Sequence, residues 1–296
     1  MSISMHAVAQ TQTSQNALLQ WWPVALGLLV LYVPTYINLA HTLWQTPDNA
    51  HGPIILLVAL WLMLRRRAVL AMPRQETESA TLPASLLLAL GLLLYVLGRS
   101  QGIYVFEVSS QLPVLFACVW LLKGWRAAKA LWFPILFLIF LVPLPGFIVD
   151  SLTGPLKQLV SSAVDYVLHA AGYPISRSGV VLTMGYYQLL VADACSGLNS
   201  MFSLSAMVLL YVYLRGHRGW LHDTLLIVSI LPIAFAANIG RVLALALITY
   251  HFGDGAGQGF MHDFAAIAEF VMAVLTLFAV DYLLIYILQW RRHAHR

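Results

Sequence analysis

The segment Val191-Ala192-Asp193-Ala194-Cys195-Ser196-Gly197-Leu198-Asn199-Ser200 stands where a polar, extended stretch gives way to an apolar run from Leu198 to Leu214. Small and capping residues (Ser196, Gly197, Asn199, Ser200) surround the cysteine and read as the start of a membrane helix. The first turn of a helix has free N–H groups and a partial positive charge. A thiol placed there is stabilised as the thiolate, which makes Cys195 a candidate nucleophile. The same residues also suit a small apolar cysteine packed at a helix end.

The whole chain agrees with a membrane setting for that helix. Of its 296 residues 60% are apolar and 9% charged, against about 25% charged in soluble domains. The composition predicts an all-α polytopic membrane protein whose partner is the lipid bilayer. The net charge is +4, but the basic residues fall in short clusters between apolar runs. That pattern sets membrane orientation and argues against nucleic acid. The two cysteines, Cys118 and Cys195, are far apart in the chain with no metal-ligand spacing, so no metal or cofactor is expected. Cys118 lies inside an apolar run and reads as packing.

Apolar runs long enough for membrane helices fall at about 22–40, 53–64, 84–98, 109–122, 131–149, 198–214, 223–240 and 264–290, giving about eight spans. They make one transmembrane domain over 21–290. Residues 1–20 carry no Lys or Arg and read as a disordered lead-in, and 291–296 form a basic tail. Orientation follows from the basic residues. One set of loops and the C-terminal tail hold Arg65, Arg66, Arg67, Arg74, Lys123, Arg126, Lys129, Arg215, Arg218, Arg291, Arg292 and Arg296. The opposite side holds Arg99, Lys157, Arg177 and Arg241. Twelve against four places the first set, and both termini, in the cytoplasm.

Residues 150–197 hold no convincing span and fall outside the membrane on this count. Leu156 to Ala171 reads as an amphipathic helix at the interface. Ile175 to Val191 is rich in β-branched and aromatic residues and reads as a small β-hairpin turning at Met184-Gly185. It delivers the chain to Cys195 at the outer face. The span 223–240 then runs outward. Asp223 to Arg241 makes roughly 27 Å of helix, which brings Asn238 and Arg241 to the outer boundary. A charged group at such depth either faces the bundle interior or snorkels from a helix end. Asn238 and Arg241, three apart, share a helix face. The glycine-rich segment His251 to Gly259 matches no phosphate-binding fingerprint and reads as a flexible connector. Met261-His262-Asp263 opens the last span, with Glu269 seven residues on, on the same face.

Thiol, imidazole and guanidinium thus come out on one side of the membrane, a set suited to acyl transfer. The imidazole shares the thiol proton and later protonates the leaving amine. The guanidinium stabilises an oxyanion or holds a substrate carboxylate. Asp263 or Glu269 orients the imidazole, and Ser196 and Asn199 shape the site or cap the helix. A transporter, a polysaccharide-assembly subunit without catalysis of its own, and another thiol-dependent membrane acyltransferase remain as alternatives. A transporter would be expected to carry paired half-helices or an inverted repeat, and neither is visible.

Three segments carry a more specific likeness: Ala194-Cys195-Ser196-Gly197 with Ser200, Ala237-Asn238 with Arg241-Val242, and His262 before the final span. Together they resemble the exosortase family over about residues 20–290, with an overall look of its exosortase B branch. The resemblance implies a bacterial inner-membrane cysteine protease or transpeptidase of sortase-like chemistry, with Cys195, Arg241 and His262 as its active residues. Its substrates would carry a C-terminal PEP-CTERM signal: a Pro-Glu-Pro motif, a membrane helix and a basic tail. It also implies a link to exopolysaccharide export and biofilm loci. Ala266 stands where the family often has Gly, four residues after the histidine, and His251 is the competing imidazole.

Overall fold

A computed structural model describes residues 21–46, 49–71, 81–190, 197–216, 219–253, 255 and 260–294. Within these, the side chains of 71, 147–148, 150, 152, 190, 197–201, 260–263, 266 and 289–294 lie outside the description. The packing divides the chain into two compact units, Met1–Leu144 and Pro145–Arg296.

The first unit contains α1 (Trp22–His41), α2 (Gly52–Arg65), α3 (Arg67–Ala71), α4 (Thr81–Gln101), α5 (Tyr104–Ser109), α6 (Gln111–Lys123), α7 (Trp125–Ala130) and α8 (Trp132–Phe137). A 3-10 turn, Leu138–Leu141, prolongs α8. Helix α1 is apolar outward and polar inward, as suits a helix bathed in lipid. Trp22, Leu26, Leu29, Val30, Val33 and Ile37 are exposed, whereas Tyr32 and Thr35 are buried. The inward residues meet the α5–α6 junction. Tyr32 Oη lies 3.0 Å from Ser110 Oγ, Thr35 Oγ1 donates to Glu107 Oε1 at 2.5 Å, and Tyr36 Oη donates to Gln111 Oε1 at 2.5 Å. Arg99 from α4 closes the network with a 3.1 Å ion pair to the buried Glu107. Apolar surface gives no driving force between helices in lipid, so hydrogen bonds and close packing must hold them. Helix α4 supplies the close packing through Ala84, Gly91 and Gly98, a buried small residue every seven positions.

The second unit opens with α9 (Gly146–Ala170), followed by β1 (Ile175–Ser178), β2 (Val181–Met184) and β3 (Tyr187–Leu190), then α10 (Gly197–Arg215), α11 (Trp220–Val228), α12 (Ile230–Phe252) and α13 (Phe260–Ala294). The strands form an antiparallel meander in the order β1-β2-β3, with Ser178 opposite Val181 and Met184 opposite Tyr187. One face of α9, with Val160, Val164 and Leu168, packs with Leu182 and Met184 of β2, Val242, Leu245 and Ala246 of α12, and Ala265 of α13. A second core joins Leu204 and Val208 of α10, Leu226 of α11, Ile230, Ile233 and Ala234 of α12, and Ala273 and Leu277 of α13.

The fold is the helical membrane protein expected, and each of the eight apolar runs contains helix, but several boundaries differ and one run is interrupted. Among the described residues, five helical stretches are long and apolar enough to cross a membrane: Trp22–Gln45, Thr81–Gln101, Tyr104–Lys123, Trp220–Phe252 and Ile267–Leu288. Gly52–Arg65, Trp132–Leu141 and Phe202–Arg215 are shorter. The predicted span 131–149 is broken. Val142 is extended (φ −73°, ψ 117°) ahead of Pro143, and Pro145 is extended (φ −60°, ψ 139°). A residue before proline avoids the helical region, so two prolines in alternation end the helix. The amphipathic helix consequently begins at Gly146, ten residues earlier than expected. The predicted hairpin gains a third strand, Ile175–Ser178, and its turn falls on Gly185-Tyr186, where Gly185 has φ +62°.

The span predicted over 223–240 continues to Phe252 and is divided at Ser229. Pro232 has no N–H to give the Val228 carbonyl, which accounts for a break at that place.

The heptad of small residues on α4 makes a direct test. A Cβ at Gly98 would meet the backbone nitrogen of Glu107 and stand 2.7 Å from its Cα, whereas a Cβ at Gly27 of α1 meets nothing within 4 Å. Gly98→Ala is expected to lower stability by about 1–3 kcal/mol, read as a drop in thermal midpoint in detergent. Gly27→Ala should hold or raise the midpoint, because a helical glycine is replaced without a clash.

Candidate active site

Helices α12 and α13 pack along one another between the two cores of the second unit. Arg241 lies between Ala234 and Val242 on α12, and Glu269 lies one turn from both Ala265 and Ala273 on α13. Small residues on both helices let the backbones approach. Across this seam Arg241 Nη1 donates to Glu269 Oε2 at 3.2 Å. The two side chains are 2% and 1% exposed.

Of the two readings of Arg241, facing the bundle interior or snorkelling from a helix end, the structure fits the first. Eleven residues of α12 follow it, up to Phe252. A snorkelling side chain needs a helix end and an exposed head, and Arg241 has neither. Its charge is instead answered inside the bundle, as a membrane interior requires. Asn238, one turn earlier, is 1% exposed and lies on the same face. Asn238, Arg241 and Glu269 are therefore drawn into one buried seam. Glu269 Oε2 accepts from the guanidinium, and its expected place beside the His262 imidazole falls on a side chain outside the description.

His262 and Asp263 fall in the first turn of α13, two turns before Glu269, and Asn199 falls in the first turn of α10. The side chains of these three lie outside the description. Cys195 and Ser196 lie outside the described residues altogether, immediately before α10. The competing imidazole, His251, is exposed near the end of α12, with Nε2 3.5 Å from Tyr173 Oη and its ring edge-on to Tyr173 and Tyr250. It belongs to an aromatic group at the rim of the α9–α12 core.

The sequence profile of the family described as transmembrane exosortase matches residues 43–279. The chain belongs to the transmembrane exosortase family. The match covers α2 to most of α13 and so includes Asn238, Arg241 and Glu269 and the segments carrying Cys195 and His262. It reaches the exosortase family as a whole and does not single out a branch. No curated protein and no solved structure matches the chain significantly.

A second buried charged group escaped the sequence reading. Arg215, counted there as a loop cation, is 7% exposed at the end of α10 and bonds Asp223 Oδ1 and Asp281 Oδ1, each at 2.5 Å. Tyr211 Oη donates to Asp281 Oδ2 at 2.8 Å, and His222 Nε2 stands 3.2 Å from Asp281 Oδ1. The available signal was Asp281 itself, an acid in mid-span of an otherwise apolar run.

Burial sets the sign of the effect expected at Glu269. Removing one partner leaves the other charge in a low-dielectric seam, so Glu269→Met is expected to cost about 3–5 kcal/mol. The double change Arg241→Met with Glu269→Met should recover most of that loss. Thermal unfolding of the purified proteins in detergent checks both, and a double variant worse than the single one would contradict the pairing.

Proposed function

We propose that the chain is a membrane-embedded cysteine endopeptidase or transpeptidase that processes C-terminal PEP-CTERM sorting signals at the periplasmic face of a bacterial inner membrane. The observation that carries this is the burial of Arg241 on a helix seam shared with the helix whose first turn holds His262, in a chain whose exosortase match spans 43–279. A guanidinium is expensive among apolar helices, and functional use is the common reason it persists there. The twelve-to-four division of Lys and Arg supports cytoplasmic termini and an outward-facing site. The family resemblance supports a role alongside exopolysaccharide export.

The mechanism follows from the residue types. The substrate's Pro-Glu-Pro segment reaches the site while its membrane helix lies beside the enzyme. The Cys195 thiolate attacks the scissile carbonyl carbon, forming a C–S bond and a tetrahedral oxyanion. Collapse of that oxyanion breaks the C–N bond, and His262 gives its proton to the leaving amine. The thioacyl-enzyme is then resolved by an acceptor amine or by water, which returns a proton to the imidazole and releases the thiolate. Arg241 either stabilises the oxyanion or pairs with the substrate glutamate. Glu269 holds the guanidinium in place in both cases.

Coexpression with a PEP-CTERM substrate tests the assignment. Cys195→Ala should leave the substrate unprocessed on immunoblots. Arg241→Lys should reduce processing by about 10²–10³-fold if the guanidinium serves the oxyanion. Continued processing by Cys195→Ala would refute the nucleophile.

A further inference from the structure

Arg215, Asp223 and Asp281 join three helix positions that are remote in sequence: the last turn of α10, the first turn of α11 and the middle of α13. The guanidinium forks between the two carboxylates through Nη2 and Nη1. His222 Nδ1 lies 3.3 Å from Arg215 Nη2, and the Tyr211 ring lies under the guanidinium at 5.2 Å. Every charged group in the cluster is at most 8% exposed.

The cluster fixes a height along two parallel helices. Asp281 meets Arg215, and moving back along the chain Leu277 and Ala273 share a core with Val208 and Leu204. Partner numbers fall together, so α10 and α13 run in the same direction. One arm reaches from Arg215 back to Gly197, the first residue of α10, and the other from Asp281 back to His262 in the first turn of α13. At the usual helical rise the two arms are about 27 and 28 Å long. They end level to within about one residue's rise. Cys195 precedes Gly197 by two residues.

The geometry points to a remote positioning device: the Arg215–Asp223–Asp281 cluster, with His222 and Tyr211, sets the height of α10 against α13 and so brings the first turn of α10 level with the first turn of α13. It rests on the thiol-peptidase function proposed above. Apolar side chains in lipid resist sliding only weakly, because helix association there has no hydrophobic driving force. A forked guanidinium has far fewer acceptable geometries. A slip of one helical turn moves a side chain by about 5.4 Å, which exceeds hydrogen-bond reach between thiol and imidazole. Arg215 and Asp281 are thus positioning residues, acting from the last turn of α10 and the middle of α13.

Linker trapping reads this height directly. In a Cys118→Ala, His262→Cys parent, a methanediyl bis-methanethiosulfonate should join Cys195 to the new thiol in membranes. Asp281→Asn and Arg215→Gln are each expected to slow that joining at least tenfold. Leu277→Ala empties a fully buried core position one turn from Asp281 while leaving the charged atoms in place, and should change the rate less than twofold. If Arg215→Gln fails to reach the membrane, Asp281→Asn carries the test, since its guanidinium keeps Asp223. Unchanged joining in the charge variants, or equal slowing by Leu277→Ala, would overturn the positioning role alone. Failure of the parent to join would remove the thiol–imidazole proximity and the peptidase function with it.

Discussion

The second unit depends on one constraint: a charge placed among apolar helices must be answered within the bundle. Arg241 is answered by Glu269, which comes from the next long helix of the chain. That pairing ties α12 to α13 at a single place, and the alanines flanking it allow the approach that brings the side chains together. Replacing either residue alone takes an ion-pair partner from a buried charge. Arg215 obeys the same rule with two carboxylates in place of one.

The first unit meets the constraint by different means. Its seam is built mainly from neutral hydroxyl and amide groups on α1, α5 and α6, with Glu107 and Arg99 as its charged members. Beside it, Ala84, Gly91 and Gly98 bring α4 close enough that a methyl group at Gly98 would strike backbone. Short polar contacts and short side chains are two routes to the same end, since both replace the solvent-driven packing that lipid withholds.

Apolar length was legible in the sequence because it depends on composition over a window. The existence of every apolar helix came through for that reason. Helix ends depend on single residues, and Val142-Pro143-Leu144-Pro145 was readable as a stop only by giving its two prolines more weight than the apolar residues around them. The strand Ile175-Ser176-Arg177-Ser178 was invisible as a strand, since three of its four residues are polar and its pairing with β2 supplies the order. Arg241 stood out as a lone charge, and Glu269 was noted on the right helix, but the bond between them needed three dimensions. Arg215 was read only for its side of the membrane, because a cation next to a loop looks the same whether it faces water or two buried acids.

Helix α13 runs 35 residues from Phe260 to Ala294 without a proline or glycine, about 52 Å of stiff rod against a hydrocarbon layer of about 30 Å. Asp281 divides it into an arm of about 28 Å toward His262 and one of about 20 Å toward Ala294. A rod held there and again at Glu269, twelve residues earlier, is fixed at two heights, so a sideways push on the basic end is taken up before it reaches the histidine end.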